Sequence, residues 1–164
     1  MYLPSAFRQN DLTALHAQMQ ASPFALLASA GDTGVEVSHL PLLLEPGEGE
    51  FGTLYGHFAR ANGHWRGLQD GAEALAVFSG PDAYISPGWY PSKAEHGKAV
   101  PTWNYIAVHA RGPVELIEEP ERLLQIVSRL SERHEAGRPQ PWAVSEAPAE
   151  YLDAMLRAIV GFAL

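Results

Sequence analysis

A mainly β fold with peripheral helices, most simply a small antiparallel barrel, is predicted by three features of the sequence. Five or six short runs of strand-forming residues follow one another, turn chemistry separates them, and helical periodicity is confined to their flanks. Long helices do not alternate with these runs, so the crossovers that a parallel sheet needs are missing.

The elements follow in order. Leu12, Leu15 and Met19 fall at helical spacing behind Asn10 or Asp11 as a cap, so a short amphipathic helix opens the chain and Ser22-Pro23 ends it. Phe24 to Ala30 and Val35 to Leu44 read as a β-hairpin about the turn Gly31-Asp32-Thr33-Gly34. A second turn over Glu45 to Gly49 leads to a third strand, Gly52 to Phe58, antiparallel to its predecessor. Asn62 caps a short helix that carries Trp65 and Leu68, and Glu73 to Phe78 is a fourth strand. Between Gly80 and Pro101 the residues Pro81, Pro87, Gly88, Pro91 and Gly97 disfavour both helix and continuous strand, so an irregular loop is expected. Thr102 to Ile117 reads as a long strand, bulged or broken at Gly112-Pro113. Pro120 then opens a helix with the apolar stripe Leu123, Leu124, Val127 and Leu130. A last helix, from about Pro148 to Val160, turns Tyr151, Leu152, Met155 and Ile159 inward.

At 164 residues, with 46% hydrophobic and 18% charged side chains, the chain suits a single domain over 1–164 with a core of its own. Cysteine is absent, which excludes disulfides, thiolate metal sites and a cysteine nucleophile. The start lacks the basic and unbroken apolar regions of a signal peptide, and no run approaches the length of a membrane span, so a cytoplasmic protein is expected. Eleven Lys and Arg against nineteen Asp and Glu leave a formal charge of −8, which repels nucleic acid and acidic membranes. The seven histidines show no HExxH spacing, so a metal is not expected. There is no GxSxG elbow, Walker loop or GxGxxG.

Against that acidic background both lysines of the chain, Lys93 and Lys98, flank Glu95 and His96 in the 80–101 segment, beside Tyr84, Trp89 and Tyr90. Ammonium groups concentrated this way suit a small anionic ligand, although two residues also make an ordinary basic surface loop. Trp103, Asn104 and Tyr105 follow in succession, and aromatic planes with amide donors suit a flat heterocycle, although Trp103 taken singly reads as a core anchor. The junction Gly56-His57-Phe58-Ala59-Arg60-Ala61-Asn62 runs from strand end to helix start, where free backbone N–H groups and an arginine can receive a phosphate.

Several segments, taken together and in order, resemble the PaiB-type FMN-binding negative transcriptional regulators. They are Ser38-His39-Leu40-Pro41, Gly56 to Asn62, Tyr84 to Tyr90, Lys93 to Lys98, Pro101-Thr102-Trp103-Asn104-Tyr105 and Arg133-His134-Glu135. The resemblance runs from Met1 almost to the last residue and implies a split β-barrel of the pyridoxamine-phosphate-oxidase type, a homodimer, and FMN in clefts between the two subunits. Carried onto this chain, it implies Ser38, His39 and Leu40 at the flavin ring and His57, Arg60 and Asn62 at the phosphate end. Thr102, Trp103 and Asn104 would come from the partner or close the cleft, and Lys93, His96 and Lys98 would meet a second, anionic ligand. The chain stops at Leu164 without the further basic, polar tail that the resemblance leads one to expect.

Three functions compete: a flavin-dependent sensor with a regulatory output, a flavin-dependent oxidoreductase acting on a small anionic substrate, and a direct DNA-binding repressor. The acidic balance and the long Gly- and Pro-rich connection between the last two helices, unlike a helix-turn-helix, disfavour the third.

Overall fold

The computed structural model describes residues 1–31 and 34–164, the Asp70 side chain excepted. Asp32 and Thr33 of the expected hairpin turn therefore lie outside the described residues.

Helix α1 (Leu12–Ala21) opens as expected, with the Asp11 carboxylate accepting from the backbone N–H of Thr13. The strands are β1 (Phe24–Gly31), β2 (Gly34–Pro41), β3 (Leu43–Glu45), β4 (Thr53–Ala59), β5 (Glu73–Ile85), β6 (Thr102–Pro113), β7 (Glu115–Ile117) and β8 (Ile159–Ala163). Three further helices are α2 (Pro91–His96), α3 (Pro120–Glu135) and α4 (Ala149–Arg157), and a 3-10 helix spans Gly63–Gly71. The strands form two antiparallel four-stranded sheets, one in the order β2-β1-β5-β6 and the other β3-β4-β8-β7. The architecture is mainly β with peripheral helices.

Two single residues carry the chain from one sheet to the other. Leu42 separates β2 from β3 and donates its N–H to Pro23, and Val114 separates β6 from β7 and donates to Ala72. Pro113, which cannot continue a ladder as a donor, marks the second crossing, so the break expected at Gly112-Pro113 is a change of sheet. The main core fills the space between the sheets, where Leu27, Phe58, Leu68, Phe78 and Phe162 are fully buried and each contributes about 1.5–3 kcal/mol. A second core lies on the outer face of the β3-β4-β8-β7 sheet, where Leu123, Ile126 and Leu130 of α3 and Leu156 of α4 cover Leu43 and Ile117. Helix α3 sits so close to β8 that a Cβ on Gly161 would fall 2.8 Å from the Leu123 side chain.

Two segments differ from their sequence reading. Strand β5 does not stop at Phe78, because one extra residue at Gly80-Pro81 is absorbed as a bulge and pairing with β6 resumes at Asp82. Beyond the bulge, Asp82–Ile85 and Thr102–Tyr105 form a two-stranded arm with exposed faces, so the 80–101 segment is irregular only in part and also contains α2. The last helix ends at Arg157, and Ile159–Ala163 is strand β8, seated between β4 and β7. Among the described residues no helix is long and apolar enough to cross a membrane.

Candidate functional site

The densest polar cluster in the interior joins β1, β2 and the 3-10 helix. Asn62 caps that helix, its Oδ1 accepting from the His64 N–H at 3.1 Å, which turns its amide nitrogen toward Ser38 Oγ at 3.0 Å. His64 is 2% exposed, with Nδ1 2.8 Å from Ser38 Oγ and Nε2 2.9 Å from Ser29 Oγ. Its ring also tilts against Phe58 at a centroid distance of 5.3 Å. Burial holds the His64 pKa below its ordinary value, with a weaker opposing pull from Glu36. At neutral pH the ring is therefore a neutral imidazole with one donor and one acceptor.

Strand alternation separates the expected ring contacts. Ser38 and Leu40 pair with the inward residues Leu27 and Ala25, so they face the main core, whereas His39 pairs with Leu26 and faces out, stacked on Phe24 at 6.3 Å. The structure thus brings Ser38, Asn62 and His64 together and leaves His39 on the other face of the sheet.

His57 lies on the side of the second sheet that the helices cover, whereas Arg60 follows the end of β4 and reaches over Trp65 at the border of the main core. Arg60 Nε donates to the Arg157 carbonyl at 2.9 Å and one terminal nitrogen to the Ile159 carbonyl at 3.0 Å. The other terminal nitrogen meets the Glu118 carboxylate at 2.7 Å in a pair whose side chains are 39% and 57% exposed. The guanidinium also lies over Trp65, whose indole N–H donates to the Arg60 carbonyl at 3.0 Å. His57 pairs with Gly161, and its Nδ1 is buried without a hydrogen-bond partner among the described residues. Burial lowers its pKa.

Thr102, Trp103 and Asn104 stand exposed on the arm, where Tyr84 meets Trp103 edge-on at 5.9 Å. Lys93 and His96 lie on α2 and Lys98 just after it, all exposed, with His96 Nδ1 accepting from the Lys98 N–H at 3.0 Å. The arm is remote from Ser38 within one chain. The row Ser38, Leu27, Ala76, Ala110 crosses the whole sheet, about 14 Å. Trp103 lies a further seven residues along β6, roughly 23 Å. The outer face of this sheet has an apolar patch, with Phe24, Val35 and Val37 exposed and Leu26, Leu75 and Val77 half-buried, bordered by exposed His39 on β2 and by His109 and Arg111 on β6. The buried residues of α1 join the core between the sheets and those of α3 and α4 join the second core, so these helices pack elsewhere.

Sequence reading passed over His64 as one of several histidines without metal spacing. Its cap by Asn62 was legible, but its partners Ser29 and Ser38 lie 35 and 26 residues away.

Comparison with known proteins gives a family. A family model described as "Putative FMN-binding domain" matches residues 1–164. Protease synthase and sporulation protein PAI 2 of Bacillus subtilis is 31% identical over 162 residues, covering 99% of this chain and 75% of that protein. An uncharacterized protein of Saccharomyces cerevisiae is 36% identical over 110 residues, 66% of this chain and 65% of that one. Among solved structures, the FAD and heme binding protein from Mycobacterium smegmatis superposes with a TM-score of 0.68 at 17% identity, covering 95% of this chain and 66% of that one. A conserved hypothetical protein from Mycobacterium tuberculosis gives a TM-score of 0.65 at 15% identity, over 100% of this chain and 84% of that one. The chain therefore belongs to the FMN-binding domain family over residues 1–164, with a split β-barrel fold and FMN as its cofactor.

Proposed function

We propose that the protein is a cytoplasmic homodimer that holds FMN between its two copies and acts as a flavin-dependent sensor in negative transcriptional control. The observation that carries this reading is the placement of Ser38 and Trp103 on opposite edge strands of one sheet, which regular strand spacing puts on the order of 25 Å apart, far more than the width of a tricyclic ring. A second copy seated on the apolar patch of Phe24, Val35 and Val37 on the outer face of the β2-β1-β5-β6 sheet supplies the missing wall, its arm bringing Thr102, Trp103 and Asn104 to the first copy's β2.

The residues present fit the cofactor. Trp103 offers an exposed aromatic plane and Ser38 a directed hydroxyl at the ring edge, with Leu40 on the same face of β2 and His39 on the outer one. At the phosphate end, Arg60 is oriented by two carbonyls while its third contact, to Glu118, is an exposed pair of about 0–1 kcal/mol that a phosphate can replace. Asn62 completes that end, while His57 stands on the opposite, helix-covered face of β4. Bound FMN supplies two-electron redox chemistry, and the protein orients the ring, shields it from water and sets the hydrogen bonds at its edge.

The exposed basic cluster Lys93, His96 and Lys98, next to exposed Trp89 and Tyr90, supports a second reading, a flavin-dependent oxidoreductase whose small anionic substrate docks on that loop. A net charge of −8 argues against direct DNA binding, so the regulatory output in the first reading runs through a partner or a small ligand. The test is an FMN titration followed by flavin absorbance, with the mass measured by sedimentation. Stoichiometric FMN on a dimer supports the cofactor site, and a monomer without FMN overturns it. Reoxidation of the reduced flavin coupled to an anionic acceptor would favour the oxidoreductase.

A further inference from the structure

We propose that Ser29, His64 and Ser38 form a proton relay whose direction follows the hydrogen-bonding character of whatever ring edge lies against Ser38. The proposal rests on the FMN reading above.

The geometry contains one hydroxyl proton more than the chain of bonds can use. Asn62 has a fixed orientation, since its Oδ1 accepts from the His64 N–H, so its Nδ2 must donate to Ser38 Oγ. Ser38 Oγ and Ser29 Oγ then sit on the two ring nitrogens of a neutral imidazole, at 2.8 Å and 2.9 Å. Two arrangements satisfy every bond. In one, Nδ1–H donates to Ser38, Ser29 donates to Nε2, and the Ser38 hydroxyl proton is free to donate outward. In the other, Ser38 donates to Nδ1, Nε2–H donates to Ser29, and Ser38 turns a lone pair outward while the Ser29 proton becomes the free one. Burial keeps the imidazole neutral, which is the form able to take either arrangement.

Passing from the first arrangement to the second moves one proton through the chain. Ser38 gives its outward proton to an acceptor, takes the Nδ1 proton, Nε2 takes the Ser29 proton, and Ser29 takes one from solvent. Four O–H or N–H bonds break and four form among the ligand, the three side chains and water. Ser29 is suited to the inlet because it pairs with exposed Glu36 and precedes exposed Ala30. An oxidised isoalloxazine presents ring-nitrogen acceptors and a reduced one presents N–H donors, the electrons coming from an external two-electron donor such as a reduced nicotinamide or dithionite. The relay therefore supplies the proton that accompanies reduction and leaves Ser38 with the polarity that the reduced ring needs.

The test is a long-range proton–nitrogen spectrum of the histidine-labelled, FMN-loaded protein, oxidised and after dithionite reduction, with the His64 signals assigned from H64Q. The expected result is Nδ1–H in the oxidised protein and Nε2–H in the reduced protein, with S38A, loaded with FMN, holding one tautomer in both. FMN bound with an unchanged His64 tautomer, or a switch that persists in S38A, overturns the relay and leaves the cofactor reading intact. Failure of wild-type protein to bind FMN overturns both.

Discussion

Asn62 and Ser38 are joined by a 3.0 Å hydrogen bond that ties the N-terminus of the 3-10 helix to the edge strand β2. The same amide caps the helix through His64 N–H, so one side chain fixes both the helix start and the Ser38 hydroxyl. Replacing it separates the two roles. N62A should cost about 1–2 kcal/mol by urea unfolding, from a lost cap and a lost buried bond. N62D keeps an acceptor for His64 N–H and should cost less than about 1 kcal/mol. It nevertheless removes the donor to Ser38 and should weaken FMN binding, measured by fluorescence titration.

Arg60 permits a sharper division. Its bonds to the Arg157 and Ile159 carbonyls fasten the end of β4 to the junction of α4 and β8. Charged hydrogen bonds of this kind contribute about 1.5–3 kcal/mol each, so R60A should lower stability clearly, and it should release FMN more than K93A does. E118Q removes only the exposed partner and should change stability by less than about 1 kcal/mol. Because E118Q also takes the competing carboxylate charge away from the guanidinium, FMN should bind it as tightly as wild type or more so. A loss of FMN in E118Q would place the phosphate elsewhere.

Much of this architecture was legible in the chain. The cap residues Asp11 and Asn62, the hairpin of β1 and β2 and the stripe of α3 follow from local periodicity and turn chemistry. Strand β8 was not legible, because Ile159-Val160-Gly161-Phe162-Ala163 is a short apolar run after a helix and periodicity cannot tell a buried strand from the helix's continuation. The arm was hidden by Pro81, which reads as a strand breaker until a bulge accommodates it. The hydroxyl partners of His64 and the carbonyl partners of Arg60 are brought together only by the sheet order, so composition and spacing carry no trace of those contacts.

Acid sensitivity follows from three histidines. His57, His64 and His109 all have pKa values pushed below the ordinary 6.5, chiefly by burial. The unfolded chain takes up protons as pH falls through about 6.5, while the native chain resists until lower pH, so the unfolded state binds more protons in that window. Stability should be full above about pH 7 and decline as pH drops below 6.5, seen as falling urea midpoints at constant slope. H57L removes one titrating group together with a buried nitrogen that lacks a partner, so it should flatten the acid limb without loss of stability at pH 7.

The last expectation joins assembly to cofactor. Val37 faces outward on β2 and is half-exposed in one chain, so a charge there is compatible with an isolated barrel and changes its stability by about 0.5 kcal/mol or less. In the proposed dimer the same side chain is covered, and an unpaired carboxylate taken out of water costs several kcal/mol. V37E should therefore sediment as a monomer with a wild-type melting temperature for its barrel. Because Ser38 and Trp103 of one chain lie on opposite edges of the sheet, the monomer should also fail to retain FMN, although every residue at the ring and phosphate ends is unchanged. W103A should show the complementary pattern, with the dimer kept and FMN weakened. A V37E monomer that binds FMN as well as wild type would place the whole cofactor within one chain.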